Sequence, residues 1–167
     1  MLTLLITNNL ALLGQARQVL LNLTAREYAI APAGFHSSLG QHMRHILDHY
    51  RAILNACNTG IVNYELRERN TPIESDVGEA LNAIHHICSR LHSIADGPIL
   101  LQLETSAGFA QGQTMASSIE RELIFAFSHC VHHFAIMGIF LRAIGKPAPA
   151  DFGVAPATLA YRETLAR

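Results

Sequence analysis

The stretch SSLGQHMRHILDHYRAI, residues 37–53, decides the fold of this chain. Ser38 and Gln41 match the S-x-x-Q pattern of a capping box, which predicts a helix that begins near Ser38 and runs to about Cys57. The same stretch places histidines at 42, 45 and 49, so one helix would present three imidazoles on one flank. Its apolar residues recur at helical spacing, at Leu39, Met43, Ile46, Tyr50 and Ile53.

A second histidine cluster lies in SHCVHHFAIM, residues 128–137. On a helix, His129 and His133 lie within about 40° of each other on the apolar face. The i, i+4 spacing is the one at which two histidines of one helix bind the same metal. His132 shares the polar face with Arg121 and Arg142 instead, so we expect it on the solvent side.

The two clusters together predict a metal site between two helices. Imidazole is a common nitrogen ligand for zinc, nickel and iron, and a buried imidazole without partners would be costly. On the first histidine helix, His42 and His49 lie closest to the apolar stripe and His45 lies at its border. Helical geometry therefore slightly favours His42 or His49 as the partner of His129 and His133, and leaves the choice open.

The periodicity predicts four helices, over about 3–23, 38–57, 76–94 and 117–144. The last helix is expected to begin at a second capping box, formed by Ser117 and Glu120. Two long connections, one of which has room for a strand pair, predict an all-α four-helix bundle with long crossover connections. We expect one domain over 1–167, with the 145–167 tail packing on it through Phe152, Leu159 or Tyr161.

Composition excludes several classes of protein. Half of the 167 residues are hydrophobic, 15% are charged and the formal charge is −1, so neither disorder nor a basic nucleic-acid surface is expected. The three isolated cysteines favour a reducing cytoplasm over a disulfide framework. The start of the chain has no cationic region before its apolar run, so we expect no signal peptide, and we expect no stretch to form a membrane span.

The pattern S-x-G-x-x-x-R-H-I-x-D-H over residues 38–49, with H-x-x-H-H over residues 129–133, resembles the DinB-like (YfiT-like) superfamily. That resemblance implies a four-helix bundle that holds a divalent metal through three histidines. It assigns one ligand to His45 and two to His129 and His133, with His49 and then His42 as alternates to His45. The chain departs from many members after the second histidine, where it has Phe134–Ile136 in place of R-G-Q.

The resemblance also implies a function. Several relatives are similar to transferases that use a low-molecular-weight thiol such as glutathione, bacillithiol or mycothiol. We therefore expect a metal-dependent thiol transferase, and a hydrolase is the second choice. Tyr64, Arg67 and Arg69 are candidates for binding a carboxylate of the small-molecule substrate, with Glu74 or Asp76 as a base. A solvated charged loop explains each of these residues equally well.

Two other functions stay open at this point. One is a non-catalytic metal-binding or stress-response module, and the other is an interaction protein that forms a homodimer through an apolar helical face. Arg44 and Asp48 are expected to form an ion pair within one helix, and Cys130 to be a small buried residue.

Overall fold

The computed structural model describes residues 1–66, 72–94, 99–105 and 113–165. Its long helices lie where the periodicity of the sequence predicts them. A short 3₁₀ turn, Pro72–Glu74, precedes α4. The elements in chain order are α1 (Leu2–Leu20), α2 (Ala25–Ala29), α3 (Leu39–Thr59), β1 (Ile61–Asn63), α4 (Val77–His92), β2 (Leu100–Thr105), β3 (Gln113–Ser118), α5 (Ile119–Ala143) and α6 (Pro156–Leu165).

The core lies between α1, α3, α4 and α5. α3 packs against both α4 and α5, and α1 packs against the same two helices from the other side. The apolar stripe predicted for α3 is buried here, since Leu39, Met43 and Tyr50 have no exposed surface. Because α3 and α5 are neighbours, the two histidine-bearing helices face each other.

Side-chain caps set the starts of these helices. Ser38 accepts from the Gln41 amide while the Gln41 side chain accepts from the Ser38 amide, which confirms the capping box of α3. The predicted box at Ser117 and Glu120 was wrong by one residue, because Ser118 is the N-cap of α5 and accepts from the Arg121 amide. Ser117 is still in strand β3, where its hydroxyl bonds to Glu122 instead.

A three-stranded sheet corrects the all-α prediction. β1 pairs in parallel with β2, and β2 pairs with β3 in antiparallel fashion, giving the order β1-β2-β3. Pairing among the strands satisfies backbone hydrogen bonds of residues 61–63, 100–105 and 113–118, which lie between the helices. The pair β2–β3 lies in the connection that had room for strands, whereas β1 was not predicted.

The C-terminal tail is fixed mainly by one aromatic side chain. Phe152 is buried and stacks on Phe134, with ring centroids 4.3 Å apart. Gly153 has a positive φ of 74°, and a Cβ there would lie 2.3 Å from the Ala135 nitrogen, so the tail can approach α5 only with glycine at this position. Of the three side chains named for docking the tail, Phe152 is buried, Leu159 is half-buried and Tyr161 is exposed.

Helix α5 alone among the described residues is long and apolar enough to cross a membrane by length and composition. It is also a core helix in this fold, with its buried residues packed against α1 and α3. A core helix satisfies the same criterion, and the histidines of α5 would be costly to place in lipid. Its composition is thus accounted for by its place in the fold.

A buried hydrogen-bond network joins α1, α3 and α5. Tyr50 donates its hydroxyl to Asn9 Oδ1 at 2.6 Å, and Asn9 Nδ2 donates to the carbonyls of Leu5 and Leu123. Replacing Tyr50 by phenylalanine removes the donor to a fully buried oxygen, so we expect the free energy of unfolding to fall by about 1–3 kcal/mol.

Urea denaturation, monitored by circular dichroism, measures this change in the free energy of unfolding. The matched control is Tyr161→Phe, at a 62% exposed tyrosine, which should change stability by less than about 0.5 kcal/mol. Equal effects of the two substitutions would contradict the role of the network.

Candidate metal centre

Five histidines meet where α3 faces α5. The three from α3 and two from α5 form a continuous cluster, which we call the histidine cluster: His42, His45, His49, His129 and His133. His45 is central, because its ring centroid lies 4.6 Å from that of His49, 4.9 Å from that of His129 and 4.7 Å from that of His133. All five histidines named as ligands or alternates from the sequence are therefore in one place.

Three members of the histidine cluster converge more tightly than the rest. One ring nitrogen from each of His45, His49 and His129 lies within 4.8 Å of the other two. The Nε2 atoms of His45 and His129 are 2.8 Å apart. Since a zinc ion holds imidazole nitrogens at about 2.0–2.1 Å, nitrogens this close can share one ion after small side-chain shifts.

The other two members form a pair at the edge of the cluster. Nδ1 of His42 lies 2.8 Å from Nδ1 of His133, and both side chains are half-buried. Burial lowers the pKa of His42, and burial together with the neighbouring histidines lowers the pKa of His133 to about 3. His133 is thus a neutral imidazole at physiological pH, which is the form that binds a metal.

The orientation of His49 is set by the backbone of its own helix. His49 Nδ1 lies 2.8 Å from the carbonyl oxygen of His45, one turn earlier. A carbonyl only accepts, so Nδ1 carries the hydrogen and Nε2 of the neutral ring carries the lone pair. On its outer side the His49 ring stacks on Tyr64, with centroids 4.9 Å apart and planes 24° from parallel.

Tyr64 is in turn held by a fully buried carboxylate. Its hydroxyl donates to Glu122, which also accepts from the Ser117 hydroxyl. Arg121 Nη1 donates to both oxygens of the same carboxylate, at 2.8 Å to Oε1 and 3.0 Å to Oε2. Burial and the Glu122 carboxylate raise the pKa of Tyr64 well above its usual value, so the phenol stays protonated and keeps donating. The sequence favoured Tyr64 as a residue that binds a substrate carboxylate, and Glu122 was not predicted.

Phe125 completes the wall of the site and was also missed. Its ring stacks on that of His129, with centroids 5.5 Å apart and planes 21° from parallel. A signal for both missed residues was present in the sequence. Glu122 lies seven residues before His129 and Phe125 lies four before it, so both share the face of α5 that carries the histidine.

The remaining candidates have structural contacts. Arg44 pairs with Asp48 at 2.7 Å, which confirms the ion pair within α3, and it also pairs with Glu74. Asp76 is the N-cap of α4 and accepts from the Gly78 and Glu79 amides. The base role suggested for Glu74 or Asp76 stays a prediction, and Arg67 and Arg69 lie outside the described residues.

Histidines outside the cluster are solvent-facing, as the helical pattern predicts for His132. That side chain is exposed on α5, and its ring contacts the cluster from the solvent side, with its centroid 5.3 Å from that of His133. His85, His86 and His92 are exposed on α4. Cys130 is fully buried, as expected of a small core residue, and burial raises the pKa of its thiol.

A cavity of about 300 Å³ opens beside the histidine cluster. Its lining comes from the start of α3 and the facing turn of α5, namely Ser37, Gln41, His42, Arg44, His45 and His133. Because Arg44 is neutralised by two carboxylates, the cavity presents mainly uncharged hydrogen-bonding groups. A small polar molecule can therefore reach the edge of the cluster.

Comparison with known proteins places the chain in a family. A model of the DinB family matches residues 2–164. The chain belongs to the DinB family. A DinB-like protein from Bacillus subtilis, solved by crystallography, matches this DinB-family chain with a TM-score of 0.63 and 15% identity, over 89% of this chain and 97% of that one. At that identity the likeness shows the fold.

A curated relative gives a more limited match. FK506-binding protein 5 from Rhizopus delemar is 30% identical over 105 residues, which cover 60% of this chain. The matched region is 27% of the Rhizopus protein, so the match covers only about a quarter of that relative's length.

The donor set fits a divalent cation. Converging imidazoles are ligands that zinc, nickel and iron accept, and the buried carboxylate nearby already has three hydrogen-bond donors of its own. The histidine cluster of this DinB-family protein can thus hold a metal ion.

Proposed function

We propose that this protein binds one divalent metal, zinc, nickel or iron, through His45, His129 and a third imidazole of the histidine cluster. The observation that carries the proposal is the convergence of ring nitrogens from α3 and α5 within 4.8 Å of one another. Three neutral ligands would leave a further coordination position for a small molecule, which is the arrangement of catalytic rather than structural zinc sites. The pairwise packing of the four long helices supports the predicted four-helix bundle with long crossovers as the frame of this site.

We further propose that the protein is a transferase acting on a low-molecular-weight thiol and a small electrophile. A bound cation would lower the pKa of a thiol in its open position and so supply a nucleophile at neutral pH. The cavity next to His45 and His133 has room for a small polar substrate. Ser37 and Gln41 line it beside these imidazoles, and they offer hydrogen bonds that would orient the substrate.

A conjugation assay tests the transferase. The metal-loaded protein would be mixed with glutathione, bacillithiol or mycothiol and with 1-chloro-2,4-dinitrobenzene, whose coupling forms a carbon–sulfur bond and releases chloride and a proton. We expect the catalysed rate to require the metal and to fall to the uncatalysed rate after chelation. A rate that is the same with and without metal, for every thiol, would contradict the proposal.

The homodimer, the cytoplasmic location and the lack of nucleic-acid or membrane partners remain predictions. The outer face of α5 exposes Ile124 and Ile139, and α1 exposes Leu4, which are apolar side chains that a partner copy would bury. Light scattering during gel filtration measures the mass in solution and tests the dimer.

A further inference from the structure

We propose that His49, rather than His133, supplies the third imidazole of the proposed metal site, and that Tyr64, anchored on Glu122, is the residue that positions it. The inference rests on the proposed metal site and adds to it the identity of a ligand and of its support. It departs from the ligand set that the resemblance implies, in which His133 is a ligand.

The first argument is the direction of the two rings. His49 Nδ1 donates to the backbone of α3, so its lone pair is on Nε2, and His49 belongs to the convergent group with His45 and His129. His133 instead brings Nδ1 to within 2.8 Å of His42 Nδ1. His133 is not in the convergent group, and this contact with His42 lies at the edge of the histidine cluster.

The second argument is burial. His49 is 5% exposed, while His45, His129 and His133 are half-buried. A ligand below the surface gives the site a closed inner side, and His45, which lines the cavity, then faces its open side. The open coordination position would lie towards the cavity lined by His42 and His133, where a substrate enters.

The third argument is the support behind His49. Tyr64 covers the outer face of the ring, and its hydroxyl is fixed by a carboxylate with no exposed surface. Ser117 and Arg121 hold the same carboxylate, so the Tyr64 ring is anchored to the start of α5. Groups that fix the orientation of a ligating histidine raise metal affinity, and their loss costs about 10–100-fold.

This arrangement gives Glu122 a role that its burial otherwise leaves unexplained. A fully buried carboxylate is costly unless its oxygens are bonded, and here three donors from three different residues satisfy it. One of these donors is the hydroxyl of Tyr64, whose ring stacks on the proposed ligand His49. Tyr64 is thus a positioning residue that acts through His49.

The experiment is a zinc competition titration against a chromophoric chelator, on the full chain stripped of metal. We expect His49→Ala to weaken zinc binding by more than about 100-fold and His133→Ala by less than about 10-fold. For comparison, losing a group that only orients a ligating histidine costs about 10–100-fold in affinity. We expect Tyr64→Ala to weaken it by about 10–100-fold. Tyr64→Phe keeps the stacked ring and loses the bond to Glu122, so we expect it to lie between Tyr64→Ala and the unaltered protein.

A second readout separates positioning from general destabilisation. The visible spectrum of the cobalt-substituted protein reports coordination geometry, and we expect Tyr64→Phe to change it at a temperature at which circular dichroism shows the variant folded. Tyr161→Ala, at an exposed tyrosine of α6, is the matched control and should change neither affinity nor spectrum.

Three results would overturn the inference. If His133→Ala loses zinc and His49→Ala keeps it, His133 is the third ligand and the proposed metal site stands without this assignment. If Tyr64→Ala and Tyr64→Phe bind zinc with unaltered affinity and spectrum, Tyr64 has no positioning role. If the unaltered protein binds no divalent ion, the proposed function and the inference both fail.

Discussion

Replacing His129 by alanine is expected to abolish stoichiometric binding of zinc at micromolar protein concentration. His129 is the proposed ligand that both helical geometry and the family resemblance favour, and its Nε2 lies 2.8 Å from His45 Nε2. Losing a ligand should weaken zinc binding by more than the roughly 10–100-fold caused by losing a group that only orients a ligand. Isothermal titration of the metal-free protein with zinc measures the change.

The control for this prediction lies one turn along the same helix. His132→Ala removes an exposed imidazole that does not belong to the convergent group of ring nitrogens, so we expect unaltered stoichiometry and affinity. Both variants should unfold at a similar temperature without metal. Retention of one tightly bound zinc by His129→Ala would mean that the ion is held elsewhere.

Replacing Gly40 by alanine is expected to lower the free energy of unfolding by about 3 kcal/mol, near the upper end of the cost of overpacking. A Cβ at this position would lie 2.0 Å from the Glu74 carbonyl oxygen and 3.0 Å from the Tyr28 ring. The nearest of these atoms is backbone, and Tyr28 is itself tied to Ile73 by a 2.6 Å hydrogen bond, so neither can move easily. Alanine gains only about 1 kcal/mol over glycine in a helix interior, so the clash outweighs it.

Gly14 provides the matched control for this substitution. It lies inside α1, and a Cβ there meets nothing within 4 Å, so Gly14→Ala should stabilise the protein by up to about 1 kcal/mol. Urea denaturation of both variants gives the difference between the two sites. Gly40→Ala with stability equal to that of Gly14→Ala would contradict the close packing of α3 on the Pro72–Glu74 turn.

The long helices were predictable because local signals agree with burial. α3 shows this best, since its apolar period and its Ser38–Gln41 box are both written in consecutive residues. α2 was not predicted, although Thr24 and Glu27 form a capping box that the sequence contains. The strands were harder to predict because their pairing depends on contacts between distant segments, such as Ile61 with Gln102.

The histidine cluster was predictable as a set but not in its internal order. Spacing places imidazoles on a face of each helix, so residues 42, 45 and 49 were all named from the sequence. Which ring turns inward depends on the rotamer and the neighbours, and Tyr64 and Glu122 come from other segments of the chain. Glu122 was missed because an acidic residue in the first turn of a helix is usually a solvent-facing partner of the helix dipole.

X-ray absorption of the purified, metal-loaded protein tests the central claim most directly, because it reads the atoms bound to the ion. We predict about one ion per chain with at least three imidazole nitrogens at about 2.0–2.1 Å, and the loss of this signal in His129→Ala. A first shell made of oxygen or sulfur, or an imidazole signal that survives in His129→Ala, would contradict the assignment of the histidine cluster as the metal site.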